Sequence, residues 1–178
     1  MARQVLMLRG INLGPTRRVA MADLRELLTD AGYDDVRTHL QSGNVVLASS
    51  APAATLQQEA HQLISEHFGF DVPVISRTRA QLARVVSLNP LGDVAANPKR
   101  YQVSFLAQAP DAATIARLEA AAIAPERFAA HGRELYAWHP GGVARSKLWN
   151  ALADKRLGIA ATARNWTTVE TLLAMTEE

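Results

Sequence analysis

Apolar residues in the first part of the chain change period several times, and each change marks an element. Val5, Leu6, Met7 and Leu8 form a continuous apolar run that predicts a buried strand, ended by Arg9-Gly10, Asn12 and Gly14. Leu24, Leu27, Leu28 and Ala31 then recur at helical spacing between Met21 and Gly32, with Asp23 in the first turn and Gly32 as the stop. Val36, Thr38 and Leu40 alternate with Arg37, His39 and Gln41. Val45 to Ala48 follows after Ser42-Gly43-Asn44, which predicts two strands joined by a short hairpin. Pro52 opens a second helix carrying Leu56, Ala60, Leu63, Ile64 and Phe68 on one face and ending at Gly69. Val72 to Ser76 reads as a fourth strand, assigned to a sheet edge by Pro73. The order is that of a ferredoxin-like βαββαβ unit, a four-stranded antiparallel sheet with both helices on one face.

The pattern then repeats. Thr78-Arg-Ala-Gln81 is a capping box opening a short helix through Leu82, Val85 and Val86, and the connector from Asn89 to Pro98 has Asn-Pro at each end and no period. A strand over 101–107, a helix over 110–122, a hairpin about His131-Gly132, a helix over 143–157 and a short strand over 159–163 restore the same order. A second capping box, Thr167-Thr-Val-Glu170, starts an additional C-terminal helix through Leu172, Leu173 and Met175. The fold class expected is α+β, with two ferredoxin-like halves. The first spans 1–78, a short helix and connector span 79–99, and the second half with the extra helix spans 100–178.

Composition narrows the function classes. A chain of 178 residues can bury a sizeable core without staples, and it contains no cysteine, which removes disulfides, thiolate metal sites and cysteine nucleophiles. The apolar run at the N-terminus is too short for a signal peptide and no later run reaches membrane-spanning length, so the expectation is a soluble cytoplasmic protein. The formal net charge of +2 is too small to argue nucleic-acid binding from charge alone, although 16 of the 19 basic residues are arginine. Their placement matters more than their number.

Two groups of residues could carry chemistry. Arg9 and Asn12 follow the first strand, and Gln41, Ser42 and Asn44 form the hairpin, although Ser, Gly and Asn are also what a tight turn requires. The segment from His139 to Lys147 puts two glycines ahead of Arg145, Ser146 and Lys147 at a predicted helix start, the parts of a phosphate or carboxylate site. It is not a P-loop, because the glycine directly before the lysine is missing. Arg164 and Asn165 precede the last helix; with Thr167 supplying its cap, both are left available for another task. Tyr101, Val103 and Phe105 share one strand face, and Tyr136 and Trp138 another. An open face of this kind would resemble an RNA-stacking sheet, whereas burial is the commoner use of such aromatics. The histidines lack ligand spacing and no Gly-x-Ser-x-Gly elbow is present, so no metal and no cofactor are implied.

Leu8-Arg-Gly-Ile-Asn-Leu-Gly14, Met21-Ala-Asp-Leu24, Gln41-Ser-Gly-Asn-Val45, Ser146-Lys147 and Ala161-Thr-Ala-Arg-Asn-Trp-Thr-Thr-Val169 together resemble the bacterial domain-of-unknown-function family 1697. The resemblance implies a duplicated α/β plait, in agreement with the repeat, and no established reaction. The family usually continues its first loop with Gly and Lys where this chain has Pro15 and Arg17-Arg18, a stiffer loop. The expectation is an uncharacterised protein that binds an anionic or phosphorylated small ligand or nucleotide in a cleft between the two halves. The site would be assembled from Arg9, Asn12, Gln41, Ser42, Asn44, Arg145, Ser146, Lys147, Arg164 and Asn165. The alternatives are an enzyme acting on such a ligand, a nucleic-acid-binding protein and a protein-interaction module.

Overall fold

The computed structural model describes residues 1–153 and 155–177, with Arg156 described by its backbone alone. The first sequence half folds as β1 (Ala2–Leu8), α1 (Met21–Asp30), β2 (Asp34–His39), β3 (Asn44–Ser49), α2 (Ala53–Phe68), β4 (Val74–Thr78) and α3 (Arg79–Leu88). The second repeats the order as β5 (Tyr101–Leu106), α4 (Ala112–Ala121), β6 (Arg127–His131), β7 (Glu134–Trp138), α5 (Lys147–Ala153), β8 (Ala161–Asn165) and α6 (Trp166–Met175), with a 3₁₀ turn at Lys155–Leu157 before β8. Each half is a four-stranded antiparallel sheet, ordered β2-β3-β1-β4 and β6-β7-β5-β8. The duplicated α+β plait with an additional C-terminal helix is therefore the architecture, and α3 occupies after β4 the place that α6 takes after β8. The chain forms two compact units, one of Met1–Arg84 together with the chain from Thr171, the other of Val85–Glu170.

In the first unit the continuous apolar run of β1 is explained by burial on both faces. Leu6 and Leu8 join Val45, Leu47 and Val74 under Leu24 and Leu28 of α1 and Leu56, Ala60 and Ile64 of α2. Val5, Met7, Val46 and Ile75 on the opposite face are equally buried. Two central strands with no solvent face cannot alternate polar and apolar residues. Edge strand β4 begins at Val74, one residue after Pro73, where the missing N–H costs no ladder bond. Helix α2 starts at Ala53 with Pro52 at its cap position and stops at Gly69, whose φ of +78° is the left-handed cap glycine tolerates. Arg37 Nη2 donates to Met175 O at 2.7 Å and Arg79 pairs with Glu177 at 3.0 Å, which ties the end of α6 to this unit.

The core of the second unit sets Leu106, Leu135, Ala137 and Ala161 of the sheet against Leu118 of α4 and Leu148 and Leu152 of α5. The aromatic face is buried throughout: Tyr101, Phe105, Tyr136 and Trp138 are at most 9% exposed, and Trp166 stacks on Tyr101 at 4.6 Å. Those rings are core, as their commoner use suggests, and no base-stacking platform is formed by them. Burial drives the Tyr101 phenol up to about 12, so it is neutral; its hydroxyl oxygen accepts the Leu91 N–H at 3.3 Å.

Four elements depart from the sequence reading. The strands expected over 72–76 and 159–163 each lie two residues further on, as β4 (Val74–Thr78) and β8 (Ala161–Asn165), which puts Arg164 and Asn165 on a strand. The helix expected over 143–157 is confined to Lys147–Ala153, because Ser146 caps it through Trp149 N–H at 2.9 Å and residues 143–146 form a turn. The Thr167 capping box does not form. Asn165 caps α6 by accepting Thr168 N–H at 2.9 Å, while Glu170 takes the Trp166 indole N–H at 3.0 Å. The expectation that Asn165 is free of capping duty is thus corrected. Its amide side chain reaches the N3 donor from one residue after Arg164, and the helix starts two residues earlier than the Thr-x-x-Glu spacing suggests. Among the described residues no helix is long and apolar enough to cross a membrane.

Candidate functional site

The ten residues singled out above fall in different units, Arg9 to Asn44 in the first and Arg145 to Asn165 in the second. In the first unit the structure brings them together and also gives most of them internal work. Asn12, at φ +54°, donates from Nδ2 to Val19 O at 2.8 Å and Gln41 O at 2.7 Å, and its Oδ1 accepts Val19 N–H at 2.9 Å. Its amide closes the loop after β1 on itself and ties it to the β2–β3 hairpin. Asn44 is fully buried and donates to His39 O at 2.8 Å and Ser42 Oγ at 3.0 Å. Leu8 N–H reaches Gly43 O at 2.8 Å. Gly43 is glycine for two reasons: its φ is +80°, and a Cβ there would stand 2.7 Å from Leu8 Cβ and 2.8 Å from Ile11 Cδ1. Arg17 is committed as well, with Nε on Gly10 O at 2.8 Å, Nη2 on Asp71 O at 2.6 Å and its guanidinium 4.8 Å over the Phe70 ring. Arg9 keeps a half-buried guanidinium with no hydrogen-bond partner among the described residues; only its backbone N–H is used, on Pro73 O at 2.9 Å.

In the second unit the site grows from the chain between β7 and α5. His139 ends β7 fully buried, with its N–H on Arg100 O at 3.0 Å and its Nδ1 against Glu126 Oε2. Ser146 Oγ donates to the same Glu126 oxygen at 2.6 Å and lies 3.3 Å from His139 Nδ1. One carboxylate oxygen therefore pins both ends of the loop Pro140-Gly-Gly-Val-Ala-Arg145. Inside the loop, Gly142 N–H turns back to His139 O at 2.9 Å and Ser146 N–H to Val143 O at 3.1 Å, while the Arg100 side chain holds Pro140 O. His139 Nε2 is buried without a hydrogen-bond partner, beside the Trp149 ring at 5.8 Å. Nothing in the sequence marked Glu126 as a partner of His139 and Ser146, because the three meet only when the sheet forms.

This pinned loop forms one side of an open cleft of about 500 Å³. Gly141, Gly142, Arg145, Ser146, Lys147 and Glu126 line it, with Ile123 and Pro125 adding apolar surface. Arg145 and Lys147 are exposed and make no hydrogen bond or ion pair among the described residues. A net positive wall with glycine backbone in a concave setting is chemically suited to an anion.

Arg164 lies elsewhere in that unit, 8% exposed on β8, where its Nη1 donates to Thr162 Oγ1 at 2.7 Å and Ala163 O at 2.8 Å. Burial pulls its guanidinium down to about 10, still charged at neutral pH. Arg77 on β4 is its counterpart, fully buried, with Nη1 on the preceding carbonyl, Ser76 O, at 2.8 Å. Val5 faces Arg77 across the ladder as Val103 faces Arg164. Both repeats thus hold a charged group inside a sheet by supplying it with carbonyls. No group of three or more His, Cys, Asp or Glu side chains able to hold a metal ion is gathered among the described residues.

Fold and repeat define a tandem α/β-plait protein. The chain belongs to the family described as protein of unknown function (DUF1697), whose model matches residues 1–136. Among solved structures it is similar to the conserved bacterial protein SP0830 from Streptococcus pneumoniae, at 23% identity, a TM-score of 0.75 and 98% coverage of both chains. That likeness shows the fold. No curated protein matches.

Proposed function

We propose that the protein binds an anionic small ligand, a phosphorylated metabolite or nucleotide, in the cleft beside the 139–146 loop of the second unit. One observation carries this reading: Arg145 and Lys147 both line the cleft, neither has a partner among the described residues, and the loop that presents them is pinned at its base by Glu126. Unpaired cations set on a constrained loop lose little freedom on meeting a phosphate, and Arg can engage it with two parallel hydrogen bonds. A thermal-shift screen with inorganic phosphate, nucleoside monophosphates and sugar phosphates tests it. A ligand at one hundred times its Kd adds about 2.7 kcal/mol of stability. That gain disappears in an Arg145→Ala, Lys147→Ala double variant that melts where the parent does without ligand. A gain that survives the double substitution moves the site elsewhere.

A second reading, an enzyme acting on such a ligand, is favoured by the Ser146 hydroxyl donating directly to the Glu126 carboxylate on the cleft wall, a pairing that can activate an oxygen nucleophile. Phosphatase assays on the same compounds would then show turnover that Ser146→Ala abolishes while binding persists.

A further inference from the structure

The first unit exposes two leucines that its fold does not need exposed. Leu13 is 88% and Leu40 is 57% accessible, and they sit directly beside the two residues joined by the Asn12 to Gln41 hydrogen bond. Leu40 is doubly costly, since its φ of +59° is left-handed backbone that disfavours a branched side chain. The second unit provides an internal control. Its own hairpin carries the left-handed position at φ +60° with Gly132, and it joins β5 to α4 through residues 107–111 where the first unit uses 9–20. A plait of this kind closes without a long first loop and without a leucine at the turn.

The loops that present these leucines are held in place. Asn12 makes three hydrogen bonds within them, Gly43 packs on Leu8 and Ile11, and Arg17 fastens the far side to Gly10 and Asp71. Their charge is of one sign: residues 9–18 and 40–43 contain Arg9, Arg17 and Arg18 and no acidic residue. Arg9 has no side-chain partner among the described residues, and Arg18 reaches only Gly14 O at 3.4 Å. Neither stretch contains an aromatic ring on which a base could stack. Aliphatic side chains fixed beside unpaired arginines suit a partner that brings apolar side chains and carboxylates together.

We infer that the paired loops 9–18 and 40–43 form a docking surface for an acidic protein segment carrying aliphatic side chains. The surface lies in the first unit and shares no residue with the anion cleft proposed for the second. Fluorescence anisotropy with the full chain tests it, using a short labelled peptide alternating leucine with glutamate, a serine–glutamate peptide, a leucine–lysine peptide and an oligothymidine. The leucine–glutamate peptide binds and the other two peptides do not. Leu13→Ser and Leu40→Gly each weaken that binding about tenfold, while Leu88→Ser, at an exposed leucine outside both loops, leaves it unchanged. Leu40→Gly also keeps or raises the melting temperature, because glycine accepts the backbone, so its loss of binding cannot be laid to misfolding. Failure of the leucine–glutamate peptide to saturate, equal binding of the serine–glutamate peptide, or tighter binding of oligothymidine that ignores both leucine substitutions would each overturn the inference, the last reassigning the surface to nucleic acid.

Discussion

The two units build the same sheet and decorate different ends of it. Beyond Leu8 the first unit has its long loop over 9–20 and the hairpin 40–43; at the matching end beyond Leu106 the second has only 107–111 and the tight turn 132–133. Even the contact that joins these loops is repeated, Leu8 N–H on Gly43 O at 2.8 Å and Leu106 N–H on Arg133 O at 2.9 Å. The second unit places its long connection, 139–146, at the opposite end, beyond Trp138, where the first has 50–52. Whatever both units share, including the buried Arg77 and Arg164, belongs to the fold. What only one has is free of that duty, and there Arg145, Lys147, Leu13 and Leu40 are found.

The comparison can be broken most sharply at its glycines. Gly43→Ala forces a Cβ into Leu8 and Ile11 at a positive φ and is expected to cost about 3 kcal/mol or more. Gly132→Ala, with nothing within 4 Å of the new atom, costs about 1 kcal/mol for its backbone alone. Equal losses in urea unfolding would remove the claim that loop and hairpin are packed as one piece in the first unit. Next in size, Asn12→Ala removes three hydrogen bonds that hold the long loop of the first unit. It is expected to lose about 2–3 kcal/mol and to raise hydrogen exchange at Val19. In the second unit, Glu126→Gln weakens the pin on His139 and Ser146 and costs about 1–2 kcal/mol. Exchange should rise over 140–146 while Val19 stays protected; a rise in both would mean the two ends are not independent.

The smallest effect is one of pH. Asp111 caps α4, and its hydrogen bonds from the Thr114 side chain and backbone hold its carboxyl below the usual range, whereas Ala20 offers α1 no side-chain cap. A carboxylate with a lowered folded value contributes stability above its unfolded value of 3.8, and that contribution is lost as pH falls through the lower folded value. Acid should therefore loosen the first turn of α4, read as exchange at Thr114 beyond the intrinsic pH trend, without loosening α1. Asp111→Asn should flatten the difference.

The repeat was legible in the chain because its signals are local. Helical spacing at Leu24 and Leu28, the Gly69 stop, Pro73 at an edge and the Thr78 capping box all depend on near neighbours, and each formed. The start of α6 was misplaced because Asn165 and Thr167 carry equivalent capping chemistry and sequence does not choose between them. The candidate residues were legible as types and not as roles. Asn12, Asn44 and Ser146 look identical in sequence whether they face a ligand or a backbone, and the structure gives each an internal partner. Arg145 and Lys147 remain because neither makes a hydrogen bond or ion pair among the described residues, and Glu126 was invisible because it comes from the segment just ahead of β6 and meets His139 and Ser146 only in the folded sheet.

The central claim is that the second unit's pinned loop is an anion site. Titrating a nucleoside monophosphate into isotope-labelled protein and following backbone amides tests it most directly. Saturable shifts are expected at Gly141, Gly142, Arg145 and Lys147, abolished by Arg145→Ala with Lys147→Ala. Shifts clustered in residues 9–18 and 40–43 with residues 141–147 silent would contradict it, as would no saturable shift with any phosphorylated compound of the thermal-shift screen.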